Sequence, residues 1–246
     1  MPGILDNSQR FRYAIIFQWV VVGISIISLA SEAAEYFLLQ KMASGTKVPH
    51  SQVEANDWRQ QVVSSTQLVL MLLSFIAMVL WAYRAYENLH RLHKMPRPQY
   101  SEGAAGWGWF VPVLNLWYPY QVMKDIWYLT QRYAQPDDAP RFERDRNLIG
   151  GWWGLRLFTF FAGRGIRAPS DGATMDQIQN YVLSTMCMNI MHIWCAVTVI
   201  YLLRKIRPFE QQLAVRFTDD RLESSQEEVP QTPTPVWYGP VNGDVQ

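Results

Sequence analysis

The stretch Gly103–Tyr120, GAAGWGWFVPVLNLWYPY, constrains the fold of this chain more than any other. It is apolar enough to enter a bilayer, yet Gly106, Gly108, Pro112, Asn115 and Pro119 break it too often for a plain spanning helix. Non-helical backbone survives at membrane depth only where protein or a water-filled cavity satisfies its peptide groups. The segment is therefore expected to be re-entrant or interfacial, buried against other helices.

Those other helices are legible as apolar blocks. A bilayer core about 30 Å thick needs roughly 20 mostly apolar helical residues. Residues 13–34, 62–83 and 182–203 each meet that length, and a shorter block, 148–162, carries Arg156. The expected fold is an all-α integral membrane protein with four transmembrane helices, the Trp-rich segment and an amphipathic helix. Residues 1–12 precede this membrane domain of 13–217. The first block has a basic flank, Arg10 and Arg12, and a small-residue site at Ser28–Ala30, like a signal peptide. Its apolar character continues past that site, so it reads as an anchor. A net charge of +1 gives no reason to expect a nucleic-acid partner. Cys187 and Cys195 lie about 12 Å apart along one helix, too far for a disulfide, and read as packing residues.

Lys and Arg gather on the cytoplasmic side of short loops. With four spans and a non-crossing Trp-rich segment, sixteen of the 22 basic residues fall inside and five outside, Arg156 being within a span. If Gly103–Tyr120 crossed, the excess would reverse. Both termini are therefore expected in the cytoplasm. Past Pro119, Gln121, Lys124, Asp125, Tyr128, Gln131 and Arg132 share one helical face, and Val122, Met123, Ile126, Trp127, Thr130 and Tyr133 the other. This predicts an amphipathic helix over 119–133, lying in the membrane interface. Residues 218–246 are acidic and proline-rich and predict a disordered tail.

The residues WAYRAYENL at Trp81–Leu89 and GWGWFVPVLNLWYPYQVMKDIW at Gly106–Trp127, followed by Gly151-Trp152-Trp153, resemble a bacterial family known as domain of unknown function 4328. The order of span, Y-R-x-Y-x-N-L, Trp-rich segment, G-W-W and final span is similar throughout 13–203. Members of that family carry a basic residue just before Pro-Tyr, where this chain has Tyr118. The resemblance implies an uncharacterised bacterial multi-pass protein of the cytoplasmic (inner) membrane, and implies neither an activity nor catalytic residues.

Arg156 is the residue that most invites a functional reading, because an intramembrane cation needs a partner or water. The alternative is snorkelling from a short helix. Asn115, Asn189 and His192 are its candidate partners in a tentative binding site, with Glu32 a further one. Asn189 and His192 are three residues apart and are expected to share a helix face. Glu87, His90 and His93 follow the second span at metal-ligand spacing. Flanking Arg84, Arg91 and Lys94 oppose a cation, and a solvated juxtamembrane helix is the plainer reading. No phosphate loop, nucleophile elbow or C-x-x-C is present, so no cofactor or catalytic residue is expected. A non-catalytic scaffold, sensor or accessory subunit is the first reading, acting through other membrane proteins or self-association in the lipid bilayer. The second is a small-molecule or lipid-headgroup binding or transport protein with its site around Arg156. A membrane enzyme is the third.

Overall fold

The computed structural model of the chain describes residues 3–92, 96–135, 146–170 and 172–227. Among them there are helices and turns and no strand. The framework is three long helices, α1 (Ser8–Ala43), α2 (His50–Arg91) and α6 (Met175–Glu227), with α1 packed along both of the others. These three are long and apolar enough to cross a membrane. That is one fewer than the four expected spans. The fourth, α5 (Arg146–Gly165), has 20 residues and thus a length of about 30 Å. Arg156 and the glycines at 150, 151 and 154 thin its apolar content.

The helices turn large side chains outward. Trp19, Ile27, Leu68, Leu72, Phe158 and Trp194 are all exposed, as suits a surface meant for lipid rather than water. The small residue Ala14 and the serines Ser25 and Ser28 are buried where α1 meets its neighbours. α1 stops at Ser44–Thr46, where Gly45 takes φ +80° and the Thr46 N–H reaches back to the Lys41 carbonyl. A left-handed residue at that place favours glycine.

The densest packing lies at one end of the bundle. Trp81, Tyr86 and Leu89 of α2, Trp152 of α5 and Leu202, Leu203 and Ile206 of α6 surround α4 (Tyr118–Ala134), whose Val122, Met123, Ile126 and Trp127 are fully enclosed. α4 starts where expected, with Pro119 in its first turn. Its polar face is not left to solvent, contrary to the expectation of a half-immersed interfacial helix. Gln121 and Gln131 are buried, and Arg132 is the one exposed residue of the helix. The reason lies in what covers that face. The Asp125 carboxylate accepts hydrogen bonds from the Tyr86 hydroxyl at 3.0 Å and the Gln99 backbone at 2.8 Å.

The Trp-rich segment is broken as its sequence requires. It forms a short helix, α3 (Glu102–Trp107), a turn, and a single 3-10 turn at Leu114–Leu116. Its peptide groups bond locally: Phe110 and Val111 N–H to the Trp107 carbonyl, Asn115 N–H to Val111, and Trp117 N–H to Leu114. Gly108 permits the fold-back onto α4, because a Cβ there would stand 2.6 Å from the Tyr118 side chain. At the other end of the chain α6 runs on to Glu227, past the composition change at Thr218. Glu and Arg are adequate helix formers, and the first proline of that region is Pro230. The remaining tail residues, 228–246, lie outside the described residues.

Candidate functional site

Three of the four tentative binding residues meet in one place. Arg156 of α5, His192 of α6 and Asn115 of the Trp-rich segment line a cavity of about 300 Å³. Its walls are Gln18 of α1, Phe75 and Met78 of α2, and Trp152, Trp153 and Leu157 of α5, and Trp109 covers it from the Trp-rich segment. The broken segment is thus the lid of the cavity. Trp109 and Phe110 sit edge-on to Phe75 at 6.1 and 5.9 Å, and Trp153 donates its indole N–H to the Leu116 carbonyl at 3.2 Å. Gly106 brings that backbone close to the Tyr83 ring, which a Cβ would approach to 3.2 Å.

The polar groups of this cavity are short of partners. Arg156 has no hydrogen-bonded or ion-paired partner among the described residues; its guanidinium lies over the Phe75 ring, 5.4 Å from the centroid. Such a contact contributes about 0.5–2 kcal/mol, against a cost of about 2.5–3.5 kcal/mol for arginine at the centre of a span. Asn115 Oδ1, His192 Nδ1 and the Trp109 indole nitrogen are all buried with no hydrogen bond. Thr159 and Cys195 meet each other at 3.4 Å on the same wall. The arrangement offers a cation, an unused indole donor, an amide and a ring nitrogen inside apolar walls. Ligand sites are commonly built that way.

Asn189 is not part of it. Its side chain donates to Glu32 Oε1 at 2.9 Å and accepts from Gln67 at 2.6 Å, and Gln67 accepts in turn from Ser28 at 2.7 Å. Three residues along a helix leave two side chains about 60° apart. On α6, packed against α1 on one side and α5 on another, that angle separates the two groups. Asn189 and Glu32 therefore belong to a network between α1, α2 and α6, and His192 to the cavity. A separate polar group joins α1 and α2 nearby, where Ser31 bonds to Gln60 and Arg59, the latter also donating to Asn56 at 2.6 Å.

The spacing that suggested a metal does not converge. Glu87 is held by Arg84 at 3.3 Å and Arg91 at 2.7 Å, and His90 Nε2 lies 2.9 Å from the Tyr100 carbonyl. His93 lies outside the described residues. Among the described residues no three His, Cys, Asp or Glu side chains gather. Y-R-x-Y-x-N-L serves packing here. Tyr86 binds Asp125, and Asn88 holds the Leu5 backbone through both its amide atoms, at 2.9 and 2.8 Å. Burial raises the Asp125 carboxyl above its ordinary value, opposed by the bonds from Gln99 and Tyr86.

Sequence reasoning missed Phe75, Trp109 and Gln67. Gln67, a polar residue inside an apolar block, carried a signal. The two aromatics did not, since the chain holds 11 Trp and 11 Phe residues.

An all-helical bundle with membrane-type helices, holding a partly polar cavity under a broken aromatic segment, defines the class of this protein. It belongs to the family described as domain of unknown function (DUF4328), whose model matches residues 44–208. The match starts just beyond α1 and takes in every residue lining the cavity except Gln18 and Val21 of that helix. No curated protein and no solved structure matches the chain.

Proposed function

We propose that this is a multi-pass protein of a bacterial cytoplasmic membrane that binds a small molecule or lipid headgroup in the cavity around Arg156. The observation that carries this reading is Arg156, which has no hydrogen-bonded or ion-paired partner among the described residues and lines a cavity with Asn115, His192 and Trp109, each of which keeps a buried polar atom without a hydrogen bond. Polar groups kept only to hold helices together normally satisfy one another, as Ser28, Gln67 and Asn189 do, with one Glu32 oxygen left over. α5 crosses as the fourth span in this reading, supported by its length of about 30 Å. The Trp-rich segment enters and leaves on the cytoplasmic face. Its contacts at Phe75, eight residues or about 12 Å along α2 from Tyr83, support a re-entrant path. Both termini are cytoplasmic, supported by the excess of basic residues that this topology puts inside.

Two experiments test the proposal. Single cysteines at Ser51 and Ser170 should react with an impermeant thiol reagent in intact cells, and those at Glu102 and Gln212 should be shielded. A shielded Ser170 with a reactive Gln212 would mean that α5 does not cross or that the Trp-rich segment does, and a cysteine at Gln135, reactive only in the second case, separates the two. Native mass spectrometry of the gently extracted chain should show a bound small molecule or lipid that Arg156→Gln loses. A folded wild type that carries none would overturn the binding reading and favour a scaffold.

A further inference from the structure

We infer that the ligand of this cavity is an anion carried on an apolar body: an oxyanion seated on the Arg156 guanidinium, with its hydrocarbon against the aromatic walls. The inference rests on the cavity being a binding site, and it goes on to say what that site selects.

The charge argument is one of elimination. Among the described residues no carboxylate pairs with Arg156, and four that lie at least partly inside the bundle are engaged elsewhere. Glu32 accepts from Asn189, Asp125 from Tyr86 and Gln99, Glu87 is clamped by two arginines, and Glu210 takes Asn7 and Arg207. Arg156 is thus a cation among apolar side chains whose closest compensation is the Phe75 ring. A second cation would be repelled there. A neutral molecule would leave the charge where it is, and an oxyanion neutralises it and fits the guanidinium fork through two parallel hydrogen bonds. The unused Trp109 indole N–H is a further donor on the same cavity.

Shape gives the other half. A volume of about 300 Å³ is at the small end of ligand pockets, enough for a headgroup and a short length of chain. Leu116 and Phe160 line the cavity and are also 38% and 41% exposed, so it reaches the bundle surface beside them. A longer hydrocarbon would leave there, on a surface that already presents Phe158 and Phe161. The head chemistry is shared by a free carboxylate or phosphate amphiphile and by an anionic lipid headgroup.

The test compares two probes of equal length and different charge, decanoate and decanol, each carrying bromine. The full chain is held in phosphatidylcholine nanodiscs, and quenching of the cavity tryptophans is read against empty discs. Decanoate should bind at least tenfold more tightly than decanol. Arg156→Gln should abolish that preference, and Arg156→Lys should keep part of it, which shows that the site still folds. Equal binding of the two probes to the wild type overturns the inference and leaves the cavity as a site for neutral ligands. A folded Arg156→Gln that still prefers decanoate overturns it as well. Quenching by neither probe removes the binding reading itself. Discs containing phosphatidylglycerol identify the source. Competition with decanoate assigns the anion to a bilayer lipid, and undiminished decanoate binding assigns it to a free amphiphile.

Discussion

Two polar regions within the same bundle differ in how far their side chains bond one another, although one Glu32 oxygen in the first is left without a hydrogen bond. Between α1, α2 and α6, the side chains of Ser28, Gln67, Asn189 and Glu32 bond one another in a chain, with distances from 2.6 to 2.9 Å. Between α5, α6 and the Trp-rich segment, Arg156, Asn115, His192 and Trp109 line a cavity; Arg156 has no hydrogen-bonded or ion-paired partner among the described residues, and the other three each keep a buried polar atom without one. The two regions are linked through α6, where Asn189 and His192 are one turn apart. Polar residues in a span hold helices together where they meet each other. Where they face a cavity, they are free to hold something else. That difference makes an arginine within an apolar helix a candidate site, and it moves the binding reading ahead of the scaffold.

The largest effect is expected at the lid. Gly108→Ala sets a methyl carbon 2.6 Å from the Tyr118 side chain, so the fold-back onto α4 must shift. Overpacking of this kind costs about 1–3 kcal/mol. Thermal unfolding in detergent should fall accordingly, and the cavity tryptophans should become accessible to an aqueous quencher. Unchanged melting would mean that the lid is not held as described.

Next comes the satisfied network. Gln67→Leu strips Asn189 and Ser28 of a partner, and hydrogen bonds between membrane helices contribute about 0.6–1.7 kcal/mol. A double-mutant cycle with Asn189→Ala should return a coupling energy of that size. A cycle between Arg156 and His192 should return nearly none in the empty protein, since no bond joins them. Equal couplings in both pairs would erase the contrast between the two regions.

A smaller effect should come from Asp125, which belongs to neither region and fastens α4 to α2. Its folded carboxyl is raised above the ordinary value near 3.8, so the folded state holds the proton more tightly. The resulting stability is complete below that value and is lost as pH rises through the raised one. Melting followed from acid to neutral pH should show this decline in the wild type. Asp125→Asn, which cannot ionise, should lack the step; a wild type that gains stability over the same window would reverse the sign.

How much of this was legible in the sequence differs by level. The apolar blocks mark where α1, α2 and α6 run, because the need for a long hydrophobic helix is a one-dimensional property. The prolines and glycines of 103–120 mark a break for the same reason, and Arg156 is conspicuous as a charge inside an apolar block. Association was harder. Asn189 and His192 look equivalent in sequence, and only the position of α5 beside α6 separates them. Phe75 and Trp109 are two aromatics among many, and their meeting over Arg156 depends on where the lid lands. The polar face of α4 looked solvated because its cover, Tyr86 and the backbone of Gln99, comes from a distant part of the chain.

The central claim is that the polar groups around Gln67 stabilise the fold and those around Arg156 serve a ligand. Thermal unfolding of Gln67→Leu and Arg156→Gln, side by side in neutral nanodiscs without added ligand, tests it most directly. The account predicts a clear loss of stability for Gln67→Leu and no loss for Arg156→Gln, with a gain where the poorly compensated charge is removed. A stable Gln67→Leu beside a destabilised Arg156→Gln would contradict it, because Arg156 would then be a structural residue and the cavity no site.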